Sequence, residues 1–425
     1  MSAVRHRISA GAFATLATGA GGSGAVKELC AAQASKHRLL LRFLVEETRR
    51  VGHHDAPLVA AAYEVLSELE ERFPEQVDRC LRYPVVGAWL LRTCRALPAG
   101  GAPGRLAAIA LAAAVRAGAA CRLRVPVGDG ELMLPTLGRL ALPGGLPDVA
   151  EVAVEPVGGG AEVRAGGHPA RISPMRDGPG WQVLHRVPGT PGLSLTIDDL
   201  DPYRWPGDDV DGRLTAERRE RWFSCLRGAW EVLTGRHHAV AAELATAVSV
   251  LTPVRALDRD QHSASARDAF GAIALSDPLD GLGLAVILAH ELQHAKLNAL
   301  SEVVELIRPD DGRRYYAPWR PDPRPLFGLL HGAYAHAAVA GFWRVHAADA
   351  GIGPRAEVEF ARWREAAYQV STTLLDSGGL TEAGQELVGS LRGVLGGWRA
   401  EPVTPSSAAR ARLLSERHRR QARLR

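Results

Sequence analysis

The chain reads as an α+β protein, mostly helical, with a helical region over residues 1–120, a β-rich region over 121–212 and a second helical region over 213–425. Three observations predict this. Apolar residues recur at helical spacing through most of the first and last parts of the chain. Between them the period drops to two, in short alternating runs separated by Gly, Pro and Asp. Near residue 290 a long apolar run carries His290-Glu291-Leu292-Gln293-His294, two histidines one helical turn apart.

A length of 425 residues allows more than one domain and a sizeable core. The net charge of +4 is small for that length, so no global field argues for nucleic acid. Five cysteines (Cys30, Cys80, Cys94, Cys121, Cys225) are scattered and lack any C-x-x-C spacing. They are expected as buried thiols in a reducing compartment, which points to the cytoplasm. Arg5 and Arg7 precede Ile8 to Ala20, but that stretch is rich in Gly, Ala and Thr and makes no signal-peptide core. Leu106 to Val115, the longest strongly apolar run, is too short to span a bilayer, so no membrane partner is expected.

In the first region, Leu29, Leu40, Phe43 and Leu44, then Leu58, Tyr63, Leu66 and Leu69, keep helical spacing, punctuated by Pro57 and Pro74. Glu75 to Leu97 and Pro103 to Ala120 are expected to follow as amphipathic helices. His37, His53 and His54 read as surface or capping residues. Strands are expected at Arg122 to Val127, Glu131 to Pro135, Val149 to Glu155, Ala161 to Arg164, Trp181 to His185 and Leu193 to Ile197, forming a small antiparallel insert. Leu214 to Ala245 is again helical, with Trp222 and Trp230 at core positions. Ala247 to Val254 and Phe270 to Ser276 then read as two strands, with Gly271 to Ser276 expected as an exposed edge able to accept an extended peptide.

A helix from Gly283 to Leu300 places His290 and His294 on one face, with Glu291 about 100° further round. Such a pair binds a divalent ion and leaves positions for a third protein ligand and for exchangeable molecules. Tyr315 to Leu326 holds four prolines, which fix φ and remove donors, so it is expected as a stiff loop. Leu329 to Trp343 reads as a helix of small and apolar residues in which His331 is the expected third imidazole, with His336 and His346 as competitors. Glu357 to Leu375 and Leu380 to Trp398 are helical. Ala408 to Arg425, with seven Arg against one Glu, reads as a solvated terminal helix or frayed tail.

Three blocks, Ala289 to Leu300, Tyr315 to Pro325 and Gly328 to Ala335, together resemble the H-E-x-x-H peptide-modification domain of ribosomally made peptide natural product (RiPP) pathways. That domain occurs alone or joined to radical S-adenosylmethionine enzymes, and the likeness covers roughly residues 268–345. The resemblance implies a zincin-like helical domain rather than a cupin. It also implies iron(II)- and α-ketoglutarate-dependent β-hydroxylation of a residue in a ribosomally made precursor peptide, with His290, His294 and His331 as metal ligands. The usual facial triad contains a carboxylate, and no acid here has an obvious ligand spacing, which leaves Glu302, Glu305 and Asp322 as alternatives. The far carboxylate of α-ketoglutarate suits a planar guanidinium, Arg320 or Arg324, with Tyr316 as a hydroxyl donor. Glu291 would orient water or substrate beside the ion.

Two other classes share these residues. A zinc metallopeptidase would use Glu291 as general base on zinc-bound water, although Ala295 to Leu300 supplies no H-x-x-G-x-x-H extension. A non-catalytic peptide-binding protein would require the metal helix to be vestigial.

Overall fold

The computed structural model describes residues 6–97, 99–128, 130–207, 209–256 and 262–423; Arg5, Leu424 and Arg425 lie outside them. The helices are α1 Ala10–Ala17, α2 Ser23–Arg50, α3 Ala56–Arg72, α4 Pro74–Leu81, α5 Pro84–Ala96, α6 Leu106–Ala117, α7 Ala216–Arg236, α8 His238–Ala247, α9 Gly281–Ser301, α10 Leu326–His346, α11 Gly353–Asp376, α12 Glu382–Arg399 and α13 Pro405–Arg423. The strands are β1 Cys121–Pro126, β2 Glu131–Leu134, β3 Gly138–Ala141, β4 Val149–Val157, β5 Gly160–Ala165, β6 His168–Ile172, β7 Trp181–Val183, β8 His185–Arg186, β9 Thr196–Ile197, β10 Val250–Pro253, β11 Ser263–Ala264 and β12 Ala272–Leu275. This is an α+β fold dominated by helices. No helix among the described residues is long and apolar enough to cross a membrane.

The chain divides into two compact units that cut across the three sequence regions. One is Gln33–Phe223 with Ser249–Asp277; the other is Met1–Ala32, Ser224–Val248 and Pro278–Arg425. The reason lies in long-range partners that a linear reading cannot see. In the second unit the Tyr334 hydroxyl on α10 donates to the Leu16 carbonyl at 2.7 Å, and the Gly22 amide donates to Glu243 of α8 at 2.5 Å.

In the first unit, α6 is apolar on every face and buried from Leu106 to Ala114, as expected of a helix enclosed by protein over that span. It ends at Gly118, whose φ of 61° is the left-handed cap conformation that Gly adopts without steric cost. Against this helix pack β1 and β4 of a four-stranded antiparallel sheet (β1-β4-β5-β6) and β2 of a three-stranded one (β2-β3-β7); the unit also holds a five-stranded sheet ordered β11-β12-β10-β9-β8. The last differs from the antiparallel expectation, because β10 pairs in parallel with both β12 and β9. It also corrects the expected edge at Gly271 to Ser276. Strand β12 is interior to its sheet, since the two-residue β11 pairs with Ala274 and Leu275 and takes up their backbone groups.

Several boundaries move for local reasons. Glu75 to Leu97 is two helices, because Pro84 starts α5 and cannot continue α4. Leu214 to Ala245 breaks at His237, the non-helical cap of α8. His37 is no surface residue: it is buried, its Nδ1 lies 2.8 Å from the Leu81 carbonyl, and Gly87 leaves room for its ring. Of the cysteines only Cys80 is fully buried; all five are free thiols. Helix α1 falls in the Gly-, Ala- and Thr-rich stretch that makes no signal-peptide core, and it is started by Ser9, whose hydroxyl accepts from the Ala12 amide at 3.2 Å.

Buried histidine contributes a pH dependence. His237 stacks on Phe342 with ring centroids 4.2 Å apart, and its Nε2 lies 3.0 Å from that of His346, whose Nδ1 faces Asp349 at 2.7 Å. Burial first, then the neighbouring His346, Arg236 and His238, hold His237 down at about 4, against 6.5 in an unfolded chain. Between these values the unfolded state binds the extra proton. The stabilisation is therefore complete above pH 6.5 and is lost as pH falls toward about 4. Urea melts between pH 7.5 and 4.5 should show a steeper loss for the natural chain than for His237→Phe, by up to about 2 kcal/mol after solvent screening is allowed for.

Candidate metal centre

Helix α9 begins at Asp280, whose carboxylate accepts from the Gly283 amide at 2.7 Å. At its first residue the backbone runs close to α7: a Cβ on Gly281 would come within 2.8 Å of the Gly228 carbonyl carbon, so glycine is required there. The apolar run then carries the helix inward, and by the second turn from its end nearly every position is buried.

His290 and His294 stand one turn apart with Nε2 atoms 3.1 Å from each other and rings edge to face. Two cis nitrogens at about 2.1 Å from one octahedral ion would be about 3.0 Å apart, so the pair fits a shared divalent cation. Burial, with His336 and His294 adding to it, holds His290 well below the usual imidazole range, and burial holds His294 down at about 4. Both rings are neutral at physiological pH, which is the form that ligates. Glu291 is only 2% exposed.

His331 comes from α10 and is buried, packed against Phe327, with its Nδ1 3.2 Å from His294 Nδ1. It therefore meets His294 on the nitrogen opposite the one that faces His290. A neutral imidazole has one bare nitrogen, so as these rings stand His331 backs His294, and for it to join the pair on one ion its ring must turn. His336, on the same helix, is the third ring against the pair. It lies edge to face with His290 at 5.0 Å, is stacked on Trp319 at 4.7 Å and is flanked by Trp363 at 4.5 Å. Its Nδ1 lies 2.9 Å from the Gly332 carbonyl, and burial holds its pKa down at about 3. His346 is engaged instead with His237 and Asp349.

The proline-rich loop is pinned at its two ends by a pair of backbone hydrogen bonds between Tyr315 and Arg324, both 2.8 Å. Its Trp319 ring sits directly over Gly332, where a Cβ would penetrate the indole. Gly332→Ala should displace Trp319 from His336 and cost about 1–3 kcal/mol of stability, read as a lowered melting temperature with a shifted tryptophan emission. Arg320 and Arg324 both turn to Asp322, at 3.0 and 3.1 Å, on the loop surface. Tyr316 points elsewhere, its hydroxyl 2.9 Å from His418 Nδ1 on α13. The structure thus assembles the two α9 histidines with His331 and His336, and leaves Arg320, Arg324 and Tyr316 engaged with other partners. Glu302 and Glu305 follow the end of α9, and Asp322 is held by the two arginines.

What anchors this helix was not foreseeable from residue spacing. Lys296, roughly on the far side of α9 from the histidine pair, is 1% exposed, and its ammonium lies 2.7 Å from Glu243 Oε2 and 3.3 Å from the Ala20 carbonyl. One lysine and one glutamate 53 positions apart carry no recognisable spacing. Among the described residues, the set of three ligand-type side chains with atoms within 4.8 Å of one another is His53, His54 and Asp55, in the other unit. They are neighbours in one turn, where Asp55 already accepts from the Gly104 amide at 3.0 Å and His54 is exposed, so their proximity follows from sequence adjacency. No protein-family profile matches the chain, and no curated protein matches it.

Proposed function

We propose that the chain is an iron(II)- and α-ketoglutarate-dependent peptide β-hydroxylase whose ion is held by His290 and His294, in a helical, zincin-like setting rather than a cupin. The observation that carries this reading is the 3.1 Å separation of two neutral, desolvated imidazole nitrogens on one helix, beside a loop and a second helix bearing the other two blocks of the resemblance. Iron(II) with α-ketoglutarate and O₂ supplies the oxidising chemistry: the cosubstrate is decarboxylated to succinate, and one oxygen atom enters a C–H bond of a ribosomally made precursor peptide.

The chain's own residues have distinct tasks. His336, Trp319 and Trp363 wall one side of His290, fixing its ring and excluding water. His331, set against His294, either orients that ring or donates the third nitrogen. Arg320 or Arg324 takes the far carboxylate of the cosubstrate on leaving Asp322, an exchange of one carboxylate for another. Glu291 orients water or substrate. Free thiols suit a reducing compartment, and we place the reaction in the cytoplasm.

The test is a visible absorption spectrum of the purified protein, taken without oxygen, after iron(II) and then α-ketoglutarate are added. A weak charge-transfer band present only with both is expected. Bound iron with no band would sink the hydroxylase reading. The H-E-x-x-H sequence also fits a zinc metallopeptidase, and Glu291→Gln separates the two. That change removes nearly all activity from a peptidase that needs Glu291 as base, whereas a hydroxylase keeps its metal and its band.

A further inference from the structure

A cleft of about 680 Å³ lies between the proline-rich loop, α11, the end of α12 and α13. Helix α13, the solvated terminal helix of the two alternatives, also forms one wall of this cavity. The floor is apolar, with Ala361, Ala366, Val403 and Ala411, and the rim carries five arginines against two glutamates. Both acids are already matched: Glu365 faces Arg399 at 2.7 Å, and Glu416 faces Arg420 at 3.6 Å. Arg364 is spent on the carbonyls of Trp398 and Glu401, at 2.6 and 2.9 Å.

Three rim arginines remain. Among the described residues no carboxylate lies within ion-pair distance of Arg362, Arg412 or Arg419. Arg362 lies flat on Trp363 at 4.3 Å, and Arg419 lies over the Tyr316 ring at 5.2 Å. Arg419 also reaches the neutral Gln369 Oε1 at 3.5 Å, which leaves its charge uncompensated. A guanidinium over an aromatic face retains the planar fork of donors that matches a carboxylate.

We propose that this cleft docks an acidic peptide segment, its carboxylates on Arg362, Arg412 and Arg419 and its apolar side chains on the alanine and valine floor. The chemistry favours peptide over nucleic acid. Tyr316, which could have offered a stacking face, is covered by Arg419 and tied to His418, so no open aromatic platform remains for a base. Glu365 and Glu416, already paired with Arg399 and Arg420, interrupt the row of open guanidinium groups, which suits the spaced carboxylates of a peptide better than an unbroken phosphate backbone. Arg362 adjoins Trp363, which flanks His336 beside His290, so a docked segment has a direct line of contacts toward the metal centre. Docking itself requires no metal, and stands or falls apart from the hydroxylase reading.

The experiment is fluorescence anisotropy at low salt with a labelled peptide of about a dozen alternating Glu, Leu and Asp residues, run on metal-free and iron-loaded protein. The expected result is saturable binding to both forms. It should weaken about tenfold or more in Arg412→Glu/Arg419→Glu, and should not be matched by a Lys-for-Glu peptide of the same length or a single-stranded DNA oligomer. Arg412→Lys/Arg419→Lys should fall between, since charge is kept and the fork is lost. No binding at low salt, binding indifferent to the charge reversal, or tighter binding of the DNA would each overturn the proposal. Iron content and the α-ketoglutarate band, measured on the same variants, should not change, because both arginines are exposed and neither belongs to the metal centre.

Discussion

His294→Ala is expected to leave the protein folded but unable to hold iron, with metal content after anaerobic reconstitution falling from about one equivalent to below about a tenth. The side chain contributes to a two-point chelate on one helix, and the lone His290 that remains is a monodentate surface for an ion that needs several donors. Hydroxylation should fall to background and the charge-transfer band should vanish. His290→Ala should do the same. His331→Ala distinguishes the two tasks open to that residue. If His331 donates the third nitrogen, iron is lost as in His294→Ala. If it orients His294 from the opposite nitrogen, as the 3.2 Å contact is drawn, affinity falls about 10- to 100-fold and iron is recovered at higher concentration. Unchanged iron content in both α9 variants would refute the metal centre altogether.

The largest expected effect on stability comes from Lys296 and Glu243. Each is 1% exposed, and each is satisfied by the other together with backbone from the 20–22 turn. Removing one partner strands a charge shielded from solvent, so Lys296→Met or Glu243→Leu should destabilise the protein by about 3–5 kcal/mol. Lys296→Met/Glu243→Leu together should recover much of that loss, though not all, because the Gly22 amide then lacks its acceptor. A double-mutant cycle by urea denaturation reads the coupling. Burial lowers the Lys296 pKa, and Glu243 offsets that by favouring the ammonium. If the single changes cost no more than the double, the pair contributes packing alone.

What the sequence disclosed divides along physical lines. Local signals were legible: α9 is the apolar run around His290, α10 the run around His331, and β1, β4 and β5 the alternating stretches expected in those places. Such features depend on periodicity, which neighbours in the chain determine. The proline-rich loop was legible as a loop because proline removes donors wherever it stands. Features created by distant partners were hidden. Strand β12 reads like an edge until the two-residue β11, too short to show any alternation, is found beside it. Tyr316 looks available until α13 brings His418 to its hydroxyl, and Arg320 and Arg324 look available until Asp322 is seen to take both. The histidine pair survived translation into three dimensions because i and i+4 are fixed by the helix alone, whereas the place of His331 depends on how two helices meet.

The hydrogen bond from Tyr334 to Leu16, and the packing of α1 beside α12, carry a consequence for biosynthesis. A ribosome releases α1 first, yet its partner helix emerges more than 360 positions later. At about 5–20 residues per second, the opening segment waits on the order of tens of seconds with Phe13 and Leu16 uncovered. During that interval it is a short apolar helix with nothing to pack on, the kind of segment chaperones bind. The unit carrying the histidine pair can thus close only after α12 is made, because segments more than 360 positions apart must meet in it.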